Sequence, residues 1–154
     1  MSSAVWYNCI IVTSQYNLRS CSPLWSSGLI LNPEPGEVGQ PLQKYPVLIY
    51  IHGESFEWNS GNPYDGRILA SYADFVVITL NYRLGVLGFL NANAAPHMKA
   101  RVANYGLMDQ IAALHWVQQN IALFGGDPGN VTMMGHGTGA ACINFLMISP
   151  TVMP

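Results

Sequence analysis

The feature that most constrains this chain is a glycine-dense turn at residues 135–139, of sequence Gly-His-Gly-Thr-Gly. An apolar segment precedes the turn, and another follows it as far as Ile148. Glycine adopts backbone conformations that are strained for other residues, so this pattern predicts a sharp turn from a strand into a helix. A dinucleotide-binding loop is not supported, because its fingerprint needs a third glycine where Cys142 stands.

Composition indicates that most of the chain belongs to the interior of an α/β fold. Only 9% of the 154 residues are charged, against about 25% in typical soluble domains, and 50% are hydrophobic. Strands of a parallel sheet that is covered on both faces have this continuous apolar character. The net charge of −2 leaves no basic surface for neutralising phosphates, so we expect no nucleic-acid partner.

The three cysteines, Cys9, Cys21 and Cys142, follow neither a metal-binding nor a disulfide pattern. We therefore predict no metal site and no cofactor, and we interpret Cys142 as a buried, unreactive thiol in the helix after the turn. No apolar run approaches the roughly 20 residues of a membrane helix, so no span is expected within this chain. Residues 5–13 make a poor signal peptide, because Asn8 interrupts them and no positive charge precedes them.

Apolar runs and turn residues divide the chain into regular and irregular parts. Residues 1–32 have no clear period and receive no element, and residues 33–43 are a loop rich in proline and glycine. In residues 44–154 the pattern predicts strands at 46–51, 75–80 and 131–134, a short helix at 65–72, a tightly packed turn at 81–89, a surface loop at 91–103 and a final helix toward Ile148. We interpret Arg83, in the packed turn, as a structural arginine paired with a carboxylate or with carbonyls.

A long helix is predicted to begin at Asn104 and to be stopped by Gly-Gly-Asp-Pro at residues 125–128. Its apolar residues recur at spacings of three and four and therefore share one face: Leu107, Ile111, Leu114, Val117, Ile121 and Phe124. The order strand, crossover, strand, helix, strand, helix predicts a doubly wound α/β sheet with parallel strands.

Several of these stretches resemble, in order and in spacing, the type-B carboxylesterase and cholinesterase family. The similar segments are residues 52–53, 81–85, 88–89, 104–110, 113–118, 120–121, 124–128 and 131–132. The resemblance covers roughly residues 44 to 150 and implies a partial α/β-hydrolase fold, truncated after the helix that follows the glycine turn. Residues 49–56, 65–66 and 68–72 are most similar to invertebrate neuroligins within that family.

The neuroligin resemblance implies a cell-adhesion role rather than an enzymatic one. It implies a neurexin-type protein partner, a location at the cell surface and a homodimer of the full-length parent. None of these properties follows from composition or spacing, and no partner-binding residue can be assigned from the sequence.

In this family the turn at 135–139 is the nucleophile elbow, in which a serine stands at the apex. Gly137 occupies that position here. The histidine and carboxylate that activate the serine lie downstream of the elbow in the family, and this sequence ends at Pro154, so the resemblance implies that the triad is absent. His52, His97, His115 and His136 all precede the apex and do not fit that order.

The oxyanion hole is altered as well. Active relatives use backbone N–H groups of a glycine pair after the first strand, here matched by Glu54 and Ser55 beyond Gly53, together with the N–H of Thr138. A carboxylate at Glu54 opposes the negative charge that develops in the reaction, unless it points away.

Other polar residues near the elbow could carry an alternative function. Ser55, and less favourably Thr138, is a candidate displaced nucleophile, which would make the chain a carboxylic-ester hydrolase. His136 is interpreted as a packed or hydrogen-bonded histidine. Asn130 begins an N-glycosylation pattern, Asn130-Val131-Thr132, but a buried and unmodified asparagine is at least as well supported, because it starts an expected central strand.

A third hypothesis is that the chain is a truncated isoform or an incomplete gene model without independent function. The apolar excess then leaves the last strand as an open edge and the sheet only partly covered. On this hypothesis, residues 1–154 expressed alone are expected to be insoluble or molten in size-exclusion chromatography and thermal unfolding. A sharp cooperative melt of a monomer contradicts this expectation.

Overall fold

The computed structural model describes residues 29–31, 44–91 and 103–151. The loop predicted at 33–43, most of the surface loop predicted at 91–103 and the start of the unassigned segment at 1–32 lie outside these residues. Within the described part the strands are β1 Leu29–Leu31, β2 Tyr45–Ile51, β3 Val76–Thr79 and β4 Gly126–Gly135. The helices are α1 Arg67–Ala73, α2 Gly85–Phe89, α3 Tyr105–Asn120 and α4 Thr138–Met147, with a 3₁₀ turn at Ile121–Phe124.

The four strands form one sheet in the order β1-β3-β2-β4. Strand β2 is parallel to both β3 and β4, whereas β1 is antiparallel to β3. The predicted mostly parallel α/β sheet is therefore confirmed. Residues 51–76 and 79–126 supply the long crossovers that parallel neighbours need.

Alternating side chains of β2 pack on opposite faces of the sheet, and helices cover both faces. Residues Val47, Ile49 and Ile51 lie fully buried on the face that packs against α3 and α4. Leu48 and Tyr50 lie on the other face, where Ala70 of α1 is buried with them. Because both faces are covered, β2 and β3 are apolar without alternation, which explains why they were recognisable from sequence.

The long helix follows its predicted pattern. It begins after Asn104, which has φ 62°, and the 3₁₀ turn that continues it ends at Gly125 with φ 78°. Val117 and Ile121 are fully buried, and three further members of the predicted face pack against the same core: Leu107, Leu114 and Phe124. The glycine stop works as expected, because a left-handed conformation suits glycine.

Three elements differ from the sequence predictions. Strand β1 lies inside the segment to which no element was assigned, and α2 forms where an irregular turn was expected. Strand β4 begins at Gly126, five residues before the predicted start, because pairing of Tyr45 with Gly126 resumes directly after the helix stop. Residues 127–130 then leave the ladder opposite Pro46, which has no N–H to donate. We call residues 127–130 the β4 bulge.

Arg83 is structural, as predicted. Its Nε and one terminal nitrogen donate to the two carboxylate oxygens of Asp109 at 2.8 and 2.7 Å, and its backbone N–H donates to the same carboxylate at 3.0 Å. Its guanidinium also lies 5.0 Å from the ring centroid of Tyr105. This paired geometry ties the segment before α2 to the first two turns of α3.

The end of β2 and the start of α4 are in direct backbone contact. A Cβ atom at Gly139 would overlap the carbonyl oxygen of Ile51 and lie 2.9 Å from that of His52. A Cβ atom at Gly53 would overlap the backbone of His136 and Gly139 in return. The two elements can approach this closely only because both positions lack a side chain.

We predict that Gly139→Ala lowers the free energy of unfolding by about 3 kcal/mol, because the new methyl group meets backbone that cannot move aside. The matched control, Gly129→Ala in the β4 bulge, should change it by less than about 0.5 kcal/mol. The measurement is a urea titration of the chain immobilised at low density, in a background in which Cys9 and Cys21 are changed to serine. Unfolding is followed by chemical labelling of the Cys142 thiol, which is buried in the folded chain. Equal urea midpoints for Gly139→Ala and Gly129→Ala would contradict the close backbone contact between α4 and the end of β2.

Candidate functional site

The turn between β4 and α4 has the conformation of an elbow and carries no side chain at its apex. Strand β4 ends at Gly135, α4 begins at Thr138, and Gly137 between them has φ 56° and ψ −123°. Among the described residues, and apart from its two chain neighbours, none has an atom within 4 Å of the place where a Cβ at Gly137 would stand. The predicted sharp turn is confirmed, and its apex faces open space that a side chain could occupy.

Parallel pairing brings the end of β2 to this turn. Ile51 is in register with Gly135, so both strands end at the same edge of the sheet. Gly53 then lies against the elbow, where its Cβ would come within 2.9 Å of the backbone nitrogen of Thr138. The structure thus brings together the two backbone segments, at Gly53 and at Thr138, that sequence comparison marked as the degenerate oxyanion region.

The two residues after Gly53 point into solvent. Glu54 and Ser55 are exposed, and the loop closes through the Glu57 N–H, which donates to the Glu54 carbonyl at 3.1 Å. Ser55 and Phe56 have φ of 51° and 62°, a region that favours glycine and costs other residues about 1–3 kcal/mol. A loop shape suited to glycine is retained here without glycine.

Asn59 and Phe56 hold this strained loop in place. The Asn59 side-chain amide donates to the Gly53 carbonyl at 3.2 Å and to the Tyr64 hydroxyl at 2.9 Å. The Phe56 carbonyl accepts a hydrogen bond from the Gly85 N–H at 2.7 Å, and its ring packs edge-on against Phe89. These contacts explain why Ser55 keeps its left-handed backbone.

The two remaining polar residues of the elbow differ in exposure. The hydroxyl of Thr138 is buried and has no hydrogen-bond partner among the described residues, so it is neither accessible nor next to a base. His136 is exposed, so it is not packed within the described part of the chain, and the alternative of a hydrogen-bonded histidine stays a prediction.

A buried polar cluster lies beneath the elbow and was not predicted from the sequence. His52 is fully buried, both of its ring nitrogens lack hydrogen-bond partners, and its ring stacks on that of Tyr82 at 4.6 Å. The Tyr82 hydroxyl donates to the His52 carbonyl at 2.6 Å. Burial lowers the pKa of His52 to about 4, so the neutral ring is the stable form at neutral pH.

Cys142 and Gln110 complete this cluster. The Cys142 thiol is free and fully buried, as predicted, and burial raises its pKa against smaller opposing effects of Gln110 and Tyr82 beside it. Burial also raises the pKa of Tyr82. The Gln110 amide is fully buried, and neither of its polar atoms has a hydrogen bond of ordinary geometry. A polar residue such as Gln110, placed among apolar neighbours of a helix, is indistinguishable in sequence from a surface residue.

The described residues therefore supply backbone N–H groups at an elbow whose apex, Gly137, has no side chain. His52 is enclosed below the turn, His115 is exposed on α3, and His97 lies outside the described residues. Residues 29–31, 44–91 and 103–151 contain no group of three or more metal-ligating side chains. Over the same ranges, no helix has the length and apolar character required to cross a bilayer.

Sequence comparison finds a matching family model and relatives named as neuroligins. The model of the Carboxylesterase family matches residues 29–153. Human Neuroligin-2 is 49% identical over 119 residues, which is 77% of this chain and 14% of that protein. Human Neuroligin-3 is 55% identical over 104 residues, which is 68% of this chain and 12% of that protein. The chain thus spans a small part of these relatives.

Among solved structures, a PNB esterase is similar with a TM-score of 0.74 and 38% sequence identity. The match covers 93% of this chain and 30% of the esterase. The likeness extends through the sheet and the elbow, so this chain has part of an α/β-hydrolase fold.

We predict that acid destabilises the chain through His52 before most carboxylates titrate. An unfolded histidine has a pKa near 6.5 and binds a proton that the folded state, with its pKa near 4, does not. Stability is therefore full above pH 6.5 and falls as the pH drops, by roughly 2–3 kcal/mol at pH 4.5. The comparison is between wild type and His52→Phe, in urea midpoints at pH 7 and pH 4.5. If the urea midpoint falls equally in wild type and in His52→Phe between pH 7 and pH 4.5, the loss of stability is due to titratable groups other than His52.

Proposed function

The chain belongs to the carboxylesterase family, and on that premise we propose that it is a neuroligin-like, non-catalytic member that binds a protein instead of hydrolysing esters. The observation that carries the proposal is Gly137, an elbow apex with intact backbone geometry and no side chain. A binding role needs the shape of the fold, whereas hydrolysis needs the missing hydroxyl.

The magnitude of the loss supports a non-catalytic reading. Removing the serine of a comparable triad costs roughly a millionfold in kcat, and a histidine or carboxylate has nothing to activate once the serine is gone. The proposal therefore does not depend on any residue beyond those described here. What persists is backbone N–H groups near Thr138 and Gly53, which by themselves give a small acceleration over water.

The altered loop after β2 supports the same conclusion. Glu54 and Ser55 stand where active relatives have a glycine pair, and both side chains are exposed at the rim of the elbow. Because the Glu54 side chain points into solvent, the support lies in the replacement of the glycine pair and not in the charge of this carboxylate. Loss of the nucleophile and a change in the oxyanion region thus act in the same direction.

The relatives support binding as the retained role. Neuroligins are the relatives with 49% and 55% identity, and the resemblance noted in the sequence implies a neurexin-type partner at the cell surface. Exposed apolar side chains on α1 and α2, and directly after α4, include Ile68, Tyr72, Val86, Leu87 and Ile148. We assign no partner residue from them, and a homodimer of a longer parent remains part of the proposal only through the resemblance.

Ester hydrolysis through a displaced nucleophile is the second candidate, and one observation favours it. Ser55 is exposed in the loop that follows Gly53, and its backbone is left-handed. Thr138 is a weaker candidate than sequence alone indicated, because its hydroxyl is buried.

We predict that the wild-type chain hydrolyses p-nitrophenyl butyrate no faster than its Ser55→Ala and Thr138→Val variants do, and that it is not labelled by a fluorophosphonate. The assay is run on chain immobilised at low density, and Ser55→Ala and Thr138→Val are tested beside wild type. Labelling of wild type that disappears in Ser55→Ala would establish the displaced-nucleophile enzyme and reject the non-catalytic proposal. An active type-B esterase treated identically is the positive control.

A further inference from the structure

We propose that Asn130 is a site of N-linked glycosylation, presented to solvent by the β4 bulge. Residues Asn130-Val131-Thr132 form a glycosylation pattern, and no other Asn-x-Ser or Asn-x-Thr triplet occurs in the 154 residues. The inference goes beyond the proposed function. It rests on the proposed function in one respect, because a cell-surface protein passes through the secretory pathway, where glycosylation takes place.

Within the described sheet, the geometry argues against the alternative raised from the sequence, a buried asparagine at the start of a paired strand. Tyr45 pairs with Gly126 and Val47 pairs with Val131, so four residues of β4 stand opposite the single residue Pro46. Asn130 is the last residue of that bulge. It lies outside the paired ladder, and its side chain is exposed. A large modification at this position displaces no β2 partner.

The bulge is a built turn and does not depend on the Asn130 side chain. The Asp127 carboxylate accepts the Gly129 N–H at 2.9 Å, and the Gln118 amide donates to the Pro128 carbonyl at 2.9 Å. The first contact lies within the β4 bulge, and the second joins the bulge to α3. Because no hydrogen bond that fixes the turn uses Asn130, the amide is free of a structural task that glycosylation would disrupt.

The third residue of the pattern is also accessible. Thr132 is exposed, although its backbone is in register with Leu48.

In the glycosylation reaction, the co-reactant is an oligosaccharide carried on a lipid pyrophosphate. The bond from its first sugar carbon to the pyrophosphate oxygen breaks, that carbon bonds to Nδ2 of Asn130, the amide loses one proton, and the lipid pyrophosphate leaves with the electron pair. No oxidant or reductant is needed.

The glycan would stand far from the elbow. Asn130 and Gly135 are five residues apart in β4, about 16 Å at the usual rise of a strand. The sugar therefore leaves the amino-terminal end of β4, whereas the elbow and the loop after β2 lie at the carboxyl-terminal end.

The test is translation of the whole chain, behind a cleavable secretion leader, in the presence of microsomes. Only chains protected from added protease are scored, so every scored chain has met the transferase. We expect one upward mobility shift in wild type that peptide N-glycosidase reverses, with conversion of Asn130 to aspartate seen by peptide mass spectrometry. Transfer acts on the chain as it enters the lumen, so a variant that folds poorly is still informative.

The variants separate the pattern from unspecific modification. Asn130→Gln and Thr132→Ala should abolish the shift, Thr132→Ser should retain it, and Asn120→Gln, outside any pattern, should leave it unchanged. Protected wild-type chain without a shift, or a shift that survives Asn130→Gln, overturns the inference. The ester-hydrolysis and fluorophosphonate assays are independent of the microsome assay. The absence of glycosylation can therefore be distinguished from a failure of the non-catalytic proposal.

Discussion

The structure depends on one close contact, that between the backbone leaving β2 and the backbone entering α4. Gly53 and Gly139 meet where any side chain would overlap a carbonyl or an amide of the other segment. Because interiors are packed at crystal-like density, such a contact cannot loosen by small increments. It fixes how α4 leaves the sheet and therefore fixes the conformation of Gly137, whether or not residue 137 has chemistry to perform.

The layer directly beneath this contact is unusually polar for a core. His52, Gln110 and Thr138 each bury polar atoms that lack hydrogen-bond partners, and Tyr82 connects the layer by binding the His52 carbonyl. Buried groups of this kind normally cost about 1–3 kcal/mol apiece when unpaired. The surrounding apolar residues of β2, β3 and α3 must offset that cost. Changes to the packing around His52, Gln110 and Thr138 should therefore affect the stability of the fold strongly.

Much of the fold could be predicted from the sequence where a single physical signal dominates. The buried strands β2 and β3 are continuous apolar runs, and α3 has a regular apolar face with a glycine stop at Gly125. Strand β1 has three residues and gains its identity only by pairing with β3, so no local signal marks it. The start of β4 was missed because Asp-Pro-Gly at 127–129 has turn chemistry, and here that turn is a bulge within a strand. The elbow could be predicted from its glycines, whereas the burial of His52 and the exposure of His136 depend on packing between distant segments.

The left-handed backbone of Ser55 and Phe56 has a consequence for recognising chains of this kind. These residues adopt torsion angles that glycine would adopt without strain, and hydrogen bonds from Asn59 and Gly85 fix the segments on either side. The neighbouring segments therefore hold a loop shape that the residue types alone do not favour. A search that reads only residue identity finds no glycine at either position, whereas a comparison of φ and ψ finds the loop shape directly. Comparing backbone torsions at the loop and the elbow should therefore recognise members of the family whose sequence motifs differ at these positions.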